Sequence, residues 1–262
     1  MKPSLKAETQ AELLQKLGRI DVSVPGRTEG RRSDHCETYC ICHFLASYAA
    51  DALLRFPLEL VARQSPDFAL VMPDGAVGIE VTEAAHEDYS WAMALAEEDP
   101  RSVLEPSRFR PGHKIERGHG TKPPVGSLDR PLRSLGCVGN DVERNWTQFV
   151  VEAVERKRAK RASPSFERFP SNWLLIYDNT PTMALHLDKA APMLATALAD
   201  KWVDSFSAIF VQTGDFSLCM TVAGWRTTSL KKLWPRRESN EYAQPQRGAE
   251  PSSADAAEGR SR

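Results

Sequence analysis

Asp67 and Glu80 bracket the segment Phe68-Ala69-Leu70-Val71-Met72-Pro73-Asp74-Gly75-Ala76-Val77-Gly78-Ile79, in which two apolar runs flank a Pro-Asp-Gly turn signal. The pattern predicts a β-hairpin with strands near 67–72 and 77–82. With the turn at 73–76, Met72 pairs with Val77, Ala69 with Glu80 and Asp67 with Thr82, because antiparallel partners keep a constant sum of residue numbers. Asp67 and Glu80 then share one face as diagonal neighbours, roughly 7–8 Å apart. Two carboxylates so placed repel each other, and Glu80 between Ile79 and Val81 occupies a position that is rarely charged without a partner. A hard divalent cation removes both penalties, since Mg²⁺ is held by one or two carboxylates together with waters and substrate phosphates. Without such chemistry, Asp67 is a strand opener after proline and Glu80 a solvent-facing acid.

A helix must lie before this hairpin. Ser33 or Asp34 can cap it, and it runs to about residue 54, ahead of Pro57, with Ile41, Phe44, Leu45 and Tyr48 as its buried stripe. Glu37 lies on that same face, four residues before Ile41. It is either a first-turn acid favoured by the helix dipole or a group aimed inward, and Glu59 is a weaker substitute. Cys36, Cys40 and His43 share a side at helical spacing, with His35 and Cys42 nearby, so a zinc site is conceivable. No CxxC pair and no second ligand cluster accompany them, which favours small buried cysteines beside a core.

Downstream of Thr82 a helical pattern covers 89–98, and residues 100–135 form a long loop rich in Pro, Gly, Arg and His. His113, Lys114, Arg117, His119 and Lys122 in that loop either meet phosphates or are solvated decoration. Asp141 can cap a helix over 142–162 whose buried stripe is Trp146, Phe149, Val150 and Ala153. That stripe continues into Lys157 and Lys160, with Arg156, Arg158 and Arg161 at other angles. Lysines there either snorkel to solvent or carry an ammonium group to the hairpin acids. Residues 172–178 form a strand buried on both faces, and a helix over 188–202 and strands at 207–211 and 217–223 follow. Alternating strand and helix predict an α/β sandwich around a mixed sheet. Asp178 suits a turn cap better than the site. Residues 1–32 form a lightly docked extension and residues 236–262 a disordered tail.

Pro66-Asp67, a hairpin, then Glu80-Val81-Thr82 resemble the core of the PD-(D/E)XK nuclease superfamily, in which a Pro-Asp precedes a strand carrying Glu-x-Lys. The resemblance covers about residues 37–178 and departs from the pattern at Thr82, which stands in the lysine's place. It implies a restriction-endonuclease-like α/β sandwich over 33–235, a central mixed sheet flanked by helices. It also implies Mg²⁺ or Mn²⁺ held by Asp67, Glu80, the Val81 carbonyl and Glu37, because the helix before the hairpin often supplies a glutamate. Relocation of the lysine to a neighbouring helix is a known departure, so Lys157, or else Lys160, takes the catalytic lysine's role. Thr82, Arg156, His113 and Lys114 would then touch the substrate. The implied activity is metal-dependent hydrolysis of phosphodiester bonds, with DNA the expected partner ahead of RNA and a homodimer one way to cut two strands. The alternative is a catalytically silent member that binds nucleic acid or a protein, with Thr82 a symptom of lost activity. In the enzyme, removal of Glu80 is expected to abolish cleavage while leaving folding intact or improved.

Composition sets outer limits. A chain of 262 residues suits one domain with embellishments, and 34 basic against 35 acidic residues leave a formal charge of -1. No global basic excess announces nucleic acid, so local patches must serve. Five cysteines without an apolar leader predict reduced thiols in a cytoplasmic protein. No run approaches the ~18 apolar residues of a membrane helix. A small-molecule α/β enzyme ranks last, because neither a phosphate-cradling glycine motif nor a nucleophile elbow is present.

Overall fold

The computed structural model describes residues 1–115, 123–161, 163, 166–199 and 201–233. Its helices are α1 (Gln10–Leu17), α2 (Ser33–Tyr48), α3 (Glu87–Glu98), α4 (Asp141–Arg161) and α5 (Leu187–Leu198). Its strands are β1 (Leu5–Ala7), β2 (Leu58–Ala62), β3 (Phe68–Met72), β4 (Gly75–Ala84), β5 (Ser102–Leu104), β6 (Val125–Ser127), β7 (Ser171–Asp178), β8 (Ala208–Thr213), β9 (Phe216–Thr221) and β10 (Gly224–Ser229). Eight strands make one sheet in the order β1-β2-β3-β4-β7-β8-β9-β10, while β5 and β6 pair separately. β4, β7 and β8 run parallel and the flanking pairs antiparallel, so the sheet is mixed.

The apolar run of β7 divides by alternation, as a strand covered on both sides must. Trp173 and Leu175 join the apolar cluster under α1 and α2, and Leu174 and Ile176 join the cluster under α4 and α5. Helices therefore cover the two faces of an α/β fold. Ile79 and Val81 of β4 belong to the α2 side. Glu80, between them, faces α4.

The hairpin register differs from the expected one by two residues. Phe68 pairs with Ile79 and Met72 with Gly75, so only Pro73 and Asp74 form the turn. Gly75 has φ +136°, a conformation that costs glycine little, and this lets β4 begin two residues earlier. A slip of two leaves every side chain on its original face. Continued one step, the observed register sets Asp67 directly opposite Glu80 instead of diagonal to it.

Residues 1–32 are not a lightly docked extension. β1 is paired along β2, with Leu5 against Leu60, and Leu13, Leu17 and Val22 are fully buried. A strand of three residues is too short to show a period, which hid this edge. α2 ends at Tyr48, not near 54, and β2 follows where no strand was expected. Glu59 in β2 pairs with Lys6 at 3.0 Å and is no substitute for Glu37. Within 100–135, β5 and β6 form a small antiparallel ladder instead of an unstructured loop. Arg117, His119 and Lys122 lie outside the described residues, as does the tail over 236–262. α5 stops at Leu198, short of the expected 202, and β10 adds a strand. Among the described residues, no helix is long and apolar enough to cross a membrane.

Candidate active site

β3 begins at Phe68, so β4 outruns it, and the Asp67 side chain takes over where the ladder stops. Asp67 Oδ2 accepts the Val81 N–H at 2.7 Å. Its Oδ1 accepts from Lys2 Nζ at 3.2 Å, and the residue is only 5 % exposed. Glu80 is 2 % exposed and meets α4. There the stripe Trp146, Val150 and Ala153 packs on the sheet, and one more turn delivers Lys157. Lys157 Nζ donates to Glu80 Oε2 at 2.6 Å and stands 3.7 Å from Asp67 Oδ2. Lys160 Nζ lies 3.3 Å from both Glu80 oxygens.

The third acid arrives from the opposite layer. Glu37 Oε2 on α2 is 2.7 Å from Lys2 Nζ, an ion pair, yet this buried oxygen receives no well-angled hydrogen bond. Lys2 Nζ also donates to the Arg63 carbonyl at 3.0 Å. Glu37, Lys2, Asp67, Lys157, Glu80 and Lys160 thus form an alternating chain of three carboxylates and three ammonium groups. Buried charges persist only when paired in this way. Burial alone would lower the Lys2 pKa, but Glu37 and Asp67 outweigh it and hold the ammonium above its ordinary 10.5.

Lys2 had no signal in the sequence, because one lysine near a chain start carries no spacing; the β1 edge pairing brings it in. Glu37, Asp67, Glu80, Lys157 and Lys160 are brought together as expected. Val81 contributes its N–H to Asp67. Thr82 lines a cleft together with Glu37 and Lys157, and its Oγ1 is 3.5 Å from Arg156 Nη2, which donates to the Glu83 carbonyl at 2.8 Å. His113 and Lys114 stand in a neighbouring groove with Arg156, away from the acids. Asp178 accepts the Trp146 indole N–H at 2.7 Å and caps Thr180, so it serves the turn and the core.

The ligand set expected for a metal is not closed. Among the described residues, no group of three or more His, Cys, Asp or Glu side chains converges to hold an ion, because ammonium groups stand between the acids. The zinc candidates also separate. Cys40 and Cys42 are fully buried, and His43 is engaged by the Tyr39 carbonyl and the Leu233 amide. Burial raises the Cys36 thiol and outweighs Arg31 beside it, so Cys36 is no thiolate nucleophile at neutral pH.

A cleft of about 440 Å³ is lined by Glu37, Val81, Thr82, Glu83 and Lys157 together with Arg27, Arg31 and Arg32. Arg27 sits on a single 3₁₀ turn, Arg27–Glu29, anchored by Glu97 at the end of α3. Glu97 Oε2 accepts from both the amide and the hydroxyl of Thr28 at 3.0 Å. Gly26 lies so near that a Cβ would come within 3.0 Å of Glu97 Oε2. The Thr28 amide, with Arg27 nearby, holds the Glu97 carboxyl below its ordinary 4.5. A depressed folded-state pKa contributes stability above the unfolded value and loses it as pH falls through the folded value. The stability difference between wild type and Glu97→Gln is therefore expected to be constant from pH 7 to about 5 and to shrink below 4.5, as read by urea titrations at each pH.

Comparison of the chain with protein families, with curated proteins and with solved structures gave no match.

Proposed function

We propose that the protein is a metal-dependent nuclease of the PD-(D/E)XK type, hydrolysing phosphodiester bonds of DNA or RNA at the Asp67–Glu80 centre. The observation that carries this is the meeting of three acids with two lysines from a downstream helix, despite the threonine at 82. A central mixed sheet flanked by helices is the setting such a centre needs.

The donor chemistry suits Mg²⁺ or Mn²⁺: hard carboxylate oxygens from Asp67, Glu80 and Glu37, all buried or nearly so. Those oxygens would hold the ion in place of the ammonium groups that now neutralise them, Lys2 between Glu37 and Asp67 and Lys157 between Asp67 and Glu80. When bound, the ion supplies an acidified water and neutralises charge on the phosphoryl group. The chain's own share is positional. Lys157 Nζ, already directed by Glu80, orients the attacking oxygen and donates to negative charge developing on the phosphate. Asp67 holds the end of β4 against β3 through the Val81 amide, fixing the distance between the acids. Thr82 and Arg156 border the path by which a strand would enter.

A second reading, a silent nucleic-acid- or protein-binding domain, is favoured by one observation: each carboxylate already has an ammonium neighbour. Metal response separates the two. Cleavage of plasmid, single-stranded DNA and RNA is assayed with Mg²⁺, with Mn²⁺ and with chelator. In parallel, Mn²⁺ at about 100 times its Kd is expected to stabilise the wild type by about 2.7 kcal/mol. Asp67→Asn is expected to lose both the melting shift and the cleavage. Chelator-resistant binding without cutting or metal-induced stabilisation would instead select the silent domain.

A further inference from the structure

We infer that Arg27, Arg31 and Arg32 form an oxyanion site that grips a backbone phosphate of the nucleic-acid strand, one step along from the phosphate at the acid centre. The identity of the strand rests on the nuclease reading; the anion site rests on the geometry of the arginines.

Arg27 Nη2 and Arg31 Nη2 reach the same atom, Glu83 Oε1, at 3.1 and 3.0 Å, and Asn179 Nδ2 donates to it as well. One carboxylate oxygen shared by two guanidinium forks leaves donors over, and Arg27 Nε is buried with no acceptor among the described residues. Arg31 is held in place by Cys36 Sγ at 3.0 Å and by the Tyr177 ring beneath it at 6.0 Å, and its side chain is 14 % exposed. Arg32, which is exposed, pairs among the described residues with its neighbour Asp34. The wall is thus positively charged, oriented in advance and short of acceptors. Guanidinium forks match the tetrahedral oxygens of a phosphate, and a metal cation would be repelled.

Placement identifies a strand over a lone anion. Glu83 is three residues beyond Glu80 on β4, roughly 10 Å along the strand and, by alternation, on the α2 side of the sheet, the side from which Glu37 enters. The arginines open into the same cleft as Glu37 and Lys157. Beyond Thr82 and Glu83 the surface continues as a groove past Ser90 and Arg156, and then past His113 and Lys114. A chain of phosphates running this way passes the acid centre, then the arginines, then Arg156, His113 and Lys114, which stand among Glu87, Asp88 and Glu152.

The test reads binding without cleavage: anisotropy of a labelled single-stranded oligonucleotide with the full chain in excess chelator, over a range of salt. Wild type is expected to bind. Arg27→Gln with Arg31→Gln is expected to weaken binding at least tenfold and to lower the salt slope by about 0.7, the share of one phosphate contact. Glu83→Gln, which frees both arginines, is expected to tighten binding severalfold, the opposite of what a purely structural cluster would do. Should the double variant fail to fold, Arg32→Gln on the exposed rim still reports, with an expected loss of about threefold. Unchanged affinity in the arginine variants, weaker binding by Glu83→Gln, or no binding by wild type each overturns the site. Metal-dependent cutting alongside unaffected arginine variants would leave the nuclease standing without this site. Arginine-dependent binding with no cutting in Mg²⁺ or Mn²⁺ would leave the site and remove the nuclease.

Discussion

Glu80→Gln is expected to lower metal-dependent cleavage by about 10³-fold, because it removes one of the two strand carboxylates that would hold the ion, along with the anion that directs Lys157. The same change is expected to destabilise the fold by about 1–3 kcal/mol, because the amide keeps an accepting oxygen but loses the negative charge that balances two ammonium groups and turns an NH2 donor toward them. This reverses the sign expected from the sequence, in which a buried acid looked like a liability. Glu80 lies between two ammonium groups, at 2.6 and 3.3 Å, so its removal strands them. Lys157 keeps Asp67 at 3.7 Å and the half-exposed Lys160 can turn to water, which keeps the cost below that of a fully orphaned charge. Plasmid nicking in Mn²⁺ and urea titration measure the two effects separately. A Glu80→Gln protein that cuts at the wild-type rate would rule out the proposed centre.

Lys157→Met is the second large effect, and here activity and stability can be pulled apart. Loss of one donor to the developing charge is expected to cost about 10²-fold in rate. It also leaves Glu80, 2 % exposed, with only the longer Lys160 contact. Breaking a buried pair from one side costs about 3–5 kcal/mol, and Lys160 places this case at the lower end. Replacing both partners, Glu80→Leu with Lys157→Met, is expected to restore most of the lost stability while cleavage stays absent. The double-mutant cycle then yields a coupling energy of the size that touching, buried charges show. If Lys157→Met cuts normally and Lys160→Met does not, the role passes to Lys160; if both cut normally, no lysine of α4 takes part in the chemistry.

The parts of the site legible in the sequence are those written in a short period. Alternation around Ile79 and Val81 set Glu80 on its face whichever way the hairpin was registered, since a slip of two residues changes partners but not sides. The stripe Trp146, Phe149, Val150 and Ala153 led to Lys157 because a helix repeats its direction every three or four residues. The misreadings are of another kind. A short edge strand such as Leu5–Ala7 has too few residues to show alternation, and no strong stop signal before Pro57 marks the end of α2 at Tyr48.

By itself, then, the sequence determined the α/β alternation, the doubly buried strand Ser171–Asp178, the face on which Glu80 lies and the helix face that carries Lys157 and Lys160. Tertiary structure alone decided that Lys2 sits between Glu37 and Asp67, that Glu80 is clasped by two lysines, and that Arg27 and Arg31 share Glu83 in the cleft that Glu37 and Lys157 also line. The division has a physical cause. Which way a side chain points is set by the backbone geometry of its own few neighbours, whereas which charge it meets depends on distances through space between segments far apart in the chain.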